Sequence, residues 1–112
     1  MERFEVGVGP AEGNGRVVTV RGELDLAAAD QLWETIEPLL APDALVVLDG
    51  TEMTFLDSSG LRVLLQAHKR AQADGALFRV VAPQQAVQRV LDLAGAAGHL
   101  AMRDDLAAAL AG

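Results

Sequence analysis

The chain has 112 residues, the size of one domain, and 51% of them are hydrophobic, enough for a packed core. Its formal net charge of −7 argues against nucleic acid and anionic membrane surfaces as partners, because both repel an acidic protein. The chain has no cysteine, which removes disulfides and thiolate metal sites and fits a reducing compartment. With no signal-peptide pattern and no apolar run near the ~20 residues that span a bilayer, we expect a cytoplasmic protein.

The first predicted elements are a β-hairpin and a helix. Apolar residues alternate over Phe4–Val8, and the β-branched segment Arg16–Arg21 follows the turn formers PAEGNG, so the two segments predict paired strands. Asp25 is a candidate N-cap for the helix, and Pro38 should kink or end it. The apolar positions of this helix recur at helical spacing at Ala29, Leu32, Trp33 and Ile36.

A buried strand and a second helix come next. The continuous apolar run Leu45–Leu48 predicts a central strand covered on both faces, which passes Asp49 into a polar turn before Thr54–Leu56. The helix begins after Asp57 and ends before Gly75, with cationic residues in its later turns, where they complement the helix dipole. Its apolar stripe consists of Leu61, Leu64, Leu65 and Ala71.

The last third of the chain continues the alternation of strand and helix. Leu77–Val81 predicts another central strand, and a helix closed by Gly95 follows it. A short strand is expected near His99–Met102, and a final helix with Asp104 as its cap. This order predicts an α/β fold, with a mixed sheet of about four to five strands covered by about four helices.

Catalytic constellations are hard to find. His68 and His99 lie far apart and outside any known motif; we expect His68 to be a solvated residue near a helix end and His99 a strand-edge or loop residue. The glycines match neither the P-loop nor the dinucleotide fingerprint, and the GxSxG nucleophile motif is absent. We therefore expect neither an enzyme nor a cofactor or metal site.

The segment around Asp57 is the first candidate functional site. Asp57 can cap the second helix, and Ser58 and Ser59 then occupy its first turn, where free backbone N–H groups and the dipole favour an added anion. Gly60 costs about 1 kcal/mol relative to Ala within a helix, which suggests a close approach at that position. The alternative is that Asp-Ser-Ser is only a good cap followed by small residues.

The segment Gly22–Asp25 is the second candidate. It also delivers a carboxylate to the junction between a strand and a helix. The alternative is that Asp25 serves only as a helix cap. In a mostly parallel sheet the ends of the two strands would be neighbours, and two acidic groups beside a serine hydroxyl would define one surface.

Together these segments resemble the STAS domains of bacterial anti-sigma-factor antagonists. The matching motifs are GELD at Gly22–Asp25 and, further along, FLDSSGL at Phe55–Leu61. The C-terminal stretch PQQAVQRVLDLAGAAGHLAMRDDLAAAL is similar to the family's closing helix, strand and helix. The resemblance covers nearly the whole chain, so it implies a single STAS domain over residues 1–112.

The resemblance implies a partner switch. Members of the family bind an anti-sigma factor that is also a serine kinase, which frees the sigma factor. The kinase uses its own ATP to phosphorylate the serine that matches Ser58, and a PP2C-type phosphatase restores the binding form. Asp25, Asp57 and Gly60 match the family's motif around the acceptor. Ser59 matches a serine or threonine that is not the usual acceptor.

Two other functions stay open at the level of sequence. The first keeps the fold and makes the chain a STAS interaction subunit of another assembly, either stressosome-like or associated with lipid transport, without sigma-factor regulation. The second is nucleotide hydrolysis, which would need phosphate-binding glycines and a lysine that the sequence lacks. The intact Asp-Ser-Ser-Gly motif favours the phosphorylated antagonist.

Overall fold

The computed structural model describes residues 4–11 and 15–111. The strands within these ranges are β1 (Glu5–Pro10), β2 (Gly15–Leu24), β3 (Leu45–Leu56), β4 (Leu77–Val81) and β5 (Met102–Arg103). The α-helices are α1 (Leu26–Ile36), α2 (Ser58–Asp74), α3 (Gln85–Leu93) and α4 (Leu106–Leu110). Short 3₁₀ turns cover Glu37–Leu39 and Ala97–His99.

The five strands form one mixed sheet in the order β1-β2-β3-β4-β5. β1 and β2 are antiparallel, as the predicted hairpin requires, and the other neighbouring pairs are parallel. Residues 12–14 of the predicted hairpin turn lie outside the described residues. The predicted α/β fold is confirmed, including the alternation of strands and helices after the hairpin.

The two faces of the sheet carry cores of unequal size. Helices α1, α2 and α3 contribute to a large core that includes Leu24, Leu56 and Leu64. On the other face, Ala109 of α4 packs with Val47 and Val81 in a small cluster. Because successive side chains of a strand point to opposite faces, the continuous apolar run of β3 supplies both cores.

Strand β3 is longer than the sequence predicts. The expected polar turn after Asp49 is wrong, because the strand continues to Leu56 and pairs with β2 along its length. Its register with β2 shifts twice, between Thr19 and Arg21 and between Gly22 and Glu23, and at each shift β3 holds one extra residue. Such bulges accommodate polar residues within a strand and increase its twist, so the polar residues after Asp49 do not end β3.

The helix ends follow the predicted signals with one exception. Helix α1 ends at Ile36, two residues before Pro38. Helix α2 ends at Asp74 and is capped by Gly75, which takes the left-handed conformation with φ 76°. The predicted cap of α4 is wrong, because Asp105 and not Asp104 accepts the bond from the Ala108 N–H, at 2.8 Å.

The position of the last strand also differs from the prediction. It was expected near His99–Met102, but it covers Met102–Arg103, and His99 belongs to the preceding 3₁₀ turn. The pairing explains the shift, because Met102 and Arg103 are the residues that lie opposite Val80 and Val81.

Candidate functional site

The carboxyl ends of β2 and β3 meet at one edge of the sheet. Leu24 and Leu56 are the last paired residues of the two strands, and the Asp57 N–H donates to the Leu24 carbonyl at 3.2 Å. Asp25 and Asp57 directly follow these leucines, so the structure brings the two predicted acidic positions together. This confirms the expected arrangement, which follows from parallel pairing of the strands.

Asp57 fixes the start of α2. Its Oδ1 accepts the backbone N–H groups of Ser59 at 2.9 Å and Gly60 at 3.0 Å. Ser58 is the first helical residue and is exposed, while Ser59 is half-buried. The expectation of free N–H groups in the first turn is therefore wrong for Ser59 and Gly60, because the capping carboxylate occupies both donors.

Asp25 has the same capping geometry on the neighbouring helix. Its Oδ1 accepts the Ala28 N–H at 3.2 Å, and its backbone is extended, as N-caps require. The capping role proposed for Asp25 is thus confirmed. The carboxylate is half-buried and borders a shallow depression with Glu23 and Gln31, so part of it faces solvent.

Gly60 marks a close approach between α2 and the strand ends. A Cβ at this position would lie 2.6 Å from Leu24 Cγ, 2.7 Å from Leu56 Cδ1 and 2.8 Å from the Leu24 carbonyl oxygen. The close neighbour that the sequence implied is therefore the protein's own core. Only glycine lets the first turn of α2 sit this near to β2 and β3.

Two exposed apolar side chains flank the acidic residues. Leu26 follows Asp25 and is 74% exposed, and Phe55 precedes Leu56 and is 45% exposed. Neither stands out in the sequence, since Leu26 falls outside the helical stripe of α1 and Phe55 belongs to an apolar stretch. Large exposed apolar groups beside a polar site are typical of protein interfaces.

An open groove of about 820 Å³ begins at Ser58 and follows α2. Trp33 of α1 borders it and is half-buried against the main core. Two parallel rows of α2, each with a spacing of four residues, complete it. One row is Ser58, Arg62, Gln66 and Arg70; the other is Leu61, Leu65, Lys69 and Ala73. We call this surface the α2 groove.

The histidines lie away from the acidic residues. His68, expected to be solvated, is half-buried in the later part of α2 and borders an open depression together with the exposed His99. Within the described ranges, no group of three or more His, Cys, Asp or Glu side chains is placed to hold a metal ion. No helix of the described chain has the length and apolarity needed to cross a membrane.

Comparison with known proteins identifies the family. The model of the STAS domain matches residues 10–109. The chain belongs to the STAS domain family. This confirms the family predicted from the GELD and DSSG motifs, and the observed five-stranded mixed sheet agrees with it.

Several solved structures are similar to this domain. An anti-sigma factor antagonist from Mycobacterium paratuberculosis is 28% identical with a TM-score of 0.85, covering 96% of this chain and 92% of its own. The anti-sigma factor antagonist SpoIIAA in its unphosphorylated form is 20% identical with a TM-score of 0.75, covering 91% of this chain and 89% of its own. The Bacillus cell fate determinant SpoIIAA in its phosphorylated form is 19% identical with a TM-score of 0.70, covering 91% of this chain and 92% of its own. At these identities the likeness to SpoIIAA shows a shared fold.

Proposed function

We propose that this STAS domain is an anti-sigma-factor antagonist that is switched by phosphorylation on Ser58. In its unphosphorylated state it binds an anti-sigma factor that is also a serine kinase, and the bound sigma factor is released. The kinase supplies the ATP, and a PP2C-type phosphatase reverses the modification. The domain itself catalyses no reaction in this scheme, and it acts in the cytoplasm.

The position of Ser58 is the observation that supports this proposal most strongly. Its side chain is exposed at the first residue of α2, directly after the capping carboxylate of Asp57. The surrounding backbone is held by the cap and by the close contact of Gly60 with Leu24 and Leu56. A kinase would therefore meet an accessible hydroxyl on a fixed backbone.

The surroundings of Ser58 fit a partner surface. Asp25, Leu26 and Phe55 belong to the same edge of the sheet, so a partner that contacts Ser58 can also cover the two exposed apolar groups. Solved relatives described as anti-sigma factor antagonists, one of them in unphosphorylated and phosphorylated forms, support the same role.

A phosphate on Ser58 would change the charge of this surface more than its backbone. The group adds about −1.5 to −2 charge at neutral pH. The N–H groups of Ser59 and Gly60 already donate to Asp57, so they are not free to bind it. Arg62 lies four residues further along the same row of α2, where it would offset part of the added charge in the free domain. The fold should persist while the partner surface becomes more acidic.

The first test is the identity of the acceptor. After incubation with the cognate kinase and ATP, we expect mass spectrometry of proteolytic peptides to find phosphate on Ser58. The Ser58→Ala variant should lose the phosphate, and the matched Ser59→Ala variant should keep it, because Ser59 is half-buried. Full phosphorylation of Ser58→Ala would reject Ser58 as the switch.

A further inference from the structure

The α2 groove is unusual in charge for so acidic a protein. The chain carries 16 acidic and 9 basic residues. Yet Arg62, Lys69 and Arg70 line the groove, and none of its described lining residues is a carboxylate. The local charge of this surface is thus opposite to the net charge of the domain.

Two of the three cations are available to a partner. Arg70 donates hydrogen bonds to the carboxylates of Asp74 and Glu37, each at 2.9 Å. Both bonds raise the pKa of the Arg70 guanidinium, and the bond to Asp74 has the larger effect. The charge of Arg70 is therefore balanced by neighbours. Arg62 and Lys69 are exposed and have no ion-pair partner within residues 4–11 and 15–111.

The floor of the groove is apolar and elongated. Leu61 and Leu65 are half-buried along it, and Trp33 forms its wall on the α1 side. From Ser58 to Ala73 it follows α2 for ~22 Å, about four helical turns. An elongated apolar floor with cations beside it fits a helix better than a compact small molecule, because a helix presents apolar and charged rows at the same spacing.

We propose that the α2 groove binds an acidic amphipathic helix of a partner protein. Its apolar row would pack on Leu61, Leu65 and Trp33, and its carboxylates would pair with Arg62 and Lys69. This inference does not rest on phosphorylation of Ser58, since the surface is present in the unmodified chain. It extends the partner surface from the sheet edge along the length of α2.

Trp33 provides the test, because the chain has one tryptophan and no tyrosine. The probe is a synthetic helical peptide of about 18 residues with one leucine row flanked by glutamates, and its matched control has lysines in place of the glutamates. We expect the acidic peptide to shift Trp33 emission in a saturable way and the lysine peptide to leave it unchanged.

Charge-reversal variants locate the binding. Arg62→Glu combined with Lys69→Glu should weaken the acidic peptide at least roughly tenfold. Arg89→Glu combined with Arg103→Glu changes the net charge equally at exposed positions outside the groove and should bind like wild type. Arg62→Gln with Lys69→Gln, which adds no negative charge, is the second variant in case the reversal disturbs folding, as judged by circular dichroism.

Three results would overturn this inference. They are no change in Trp33 emission at about 1 mM acidic peptide, equal binding of the two peptides, or equal weakening by the groove and control variants. A shift produced by anionic phospholipid vesicles but not by the acidic peptide would make the groove a lipid site and would also reject it. Because no kinase is used, failure here leaves the Ser58 switch to its own test.

Discussion

Asp25 and Asp57 perform the same local task on adjacent helices. Each follows a paired leucine at the end of a strand, and each carboxylate accepts a backbone N–H in the first turn of its helix. Because the strands are parallel neighbours, the two caps lie at the same edge of the sheet, and Ser58 directly follows one of them. The capping role of both residues is visible in the structure, and under the proposed function their charges would also acidify the surface around Ser58.

Substitution of Asp25 separates these two roles. Asn caps a helix about as well as Asp, so the melting temperature of Asp25→Asn should be close to that of the wild type. Loss of the cap would instead lower the free energy of unfolding by about 0.5–2 kcal/mol. If the charge shapes the acceptor surface, phosphorylation or partner affinity should fall by roughly tenfold, the scale of one charged hydrogen bond. Thermal melting and kinase assays measure the two effects.

Asp105→Asn is the matched control, because Asp105 caps α4 with the same geometry away from Ser58. It should change neither melting nor phosphorylation. Unchanged kinetics and affinity in Asp25→Asn would leave Asp25 with its capping role alone.

Gly60 allows a second prediction at the residue scale. Gly60→Ala should destabilise the domain by about 1–3 kcal/mol, since the new Cβ would overlap Leu24 and Leu56. This outweighs the better helix propensity of alanine, which is about 1 kcal/mol. Gly98→Ala, where a Cβ meets nothing within 4 Å, is the control. Denaturant unfolding that shows equal stability for both variants would contradict the close packing.

At the scale of elements, the short helix α4 depends on one buried arginine. Arg79 of β4 donates to the carbonyls of Ala109 at 2.8 Å and Ala111 at 2.9 Å. These are carbonyls at the end of α4, which lack partners within the helix. The hydrogen bonds of the guanidinium therefore hold α4 against Val47 and Val81, on the face of the sheet opposite α1 and α2.

The Arg79→Met variant tests how much these hydrogen bonds stabilise α4. It keeps much of the side-chain volume but removes the charged hydrogen bonds, which contribute about 1.5–3 kcal/mol each when the donor is ionised. We expect lower unfolding stability and faster hydrogen exchange in α4. Phosphorylation of Ser58 should stay at the wild-type rate, because α4 covers the other face. Loss of phosphorylation in a folded Arg79→Met protein would contradict this separation of the two faces.

The sequence predicts elements well where one local rule decides them. Pro38, Gly75 and the apolar spacing of α2 each act through their own backbone geometry or burial, so the ends of α1 and α2 are predictable. The extent of β3 is not, because bulges opposite β2 keep the polar residues after Asp49 within the strand.

The same contrast holds at the site. Sequence motifs identify Ser58, Asp57 and Asp25 as candidate site residues. Parallel pairing of β2 and β3 brings Asp25 and Asp57 to the same edge of the sheet. The α2 groove is not predictable in this way, because its wall is formed by Trp33 of another helix, which lies beside α2 only in the folded chain. The use of two N–H groups by Asp57 also depends on cap geometry that sequence alone leaves open.

At the scale of the whole molecule, the proposed phosphorylation site lies apart from the core that stabilises the fold. The main core lies between the sheet and helices α1 to α3, and the side chain of Ser58 lies outside it. A modification of Ser58 therefore acts on the surface without requiring the core to move. This arrangement suits a switch that excludes a partner and leaves the fold intact.

The most direct measurement compares the unmodified domain with its Ser58-phosphorylated form in calorimetric titrations against the anti-sigma factor, with circular dichroism of both. A charge buried in an interface without compensation costs ~3–5 kcal/mol, and each 1.4 kcal/mol is about tenfold in affinity. We predict at least a roughly hundredfold loss of affinity, with unchanged secondary structure and a melting shift of only a few degrees. Equal affinities would contradict the switch, and a phosphorylated form that unfolds would contradict exclusion at the interface as its mechanism.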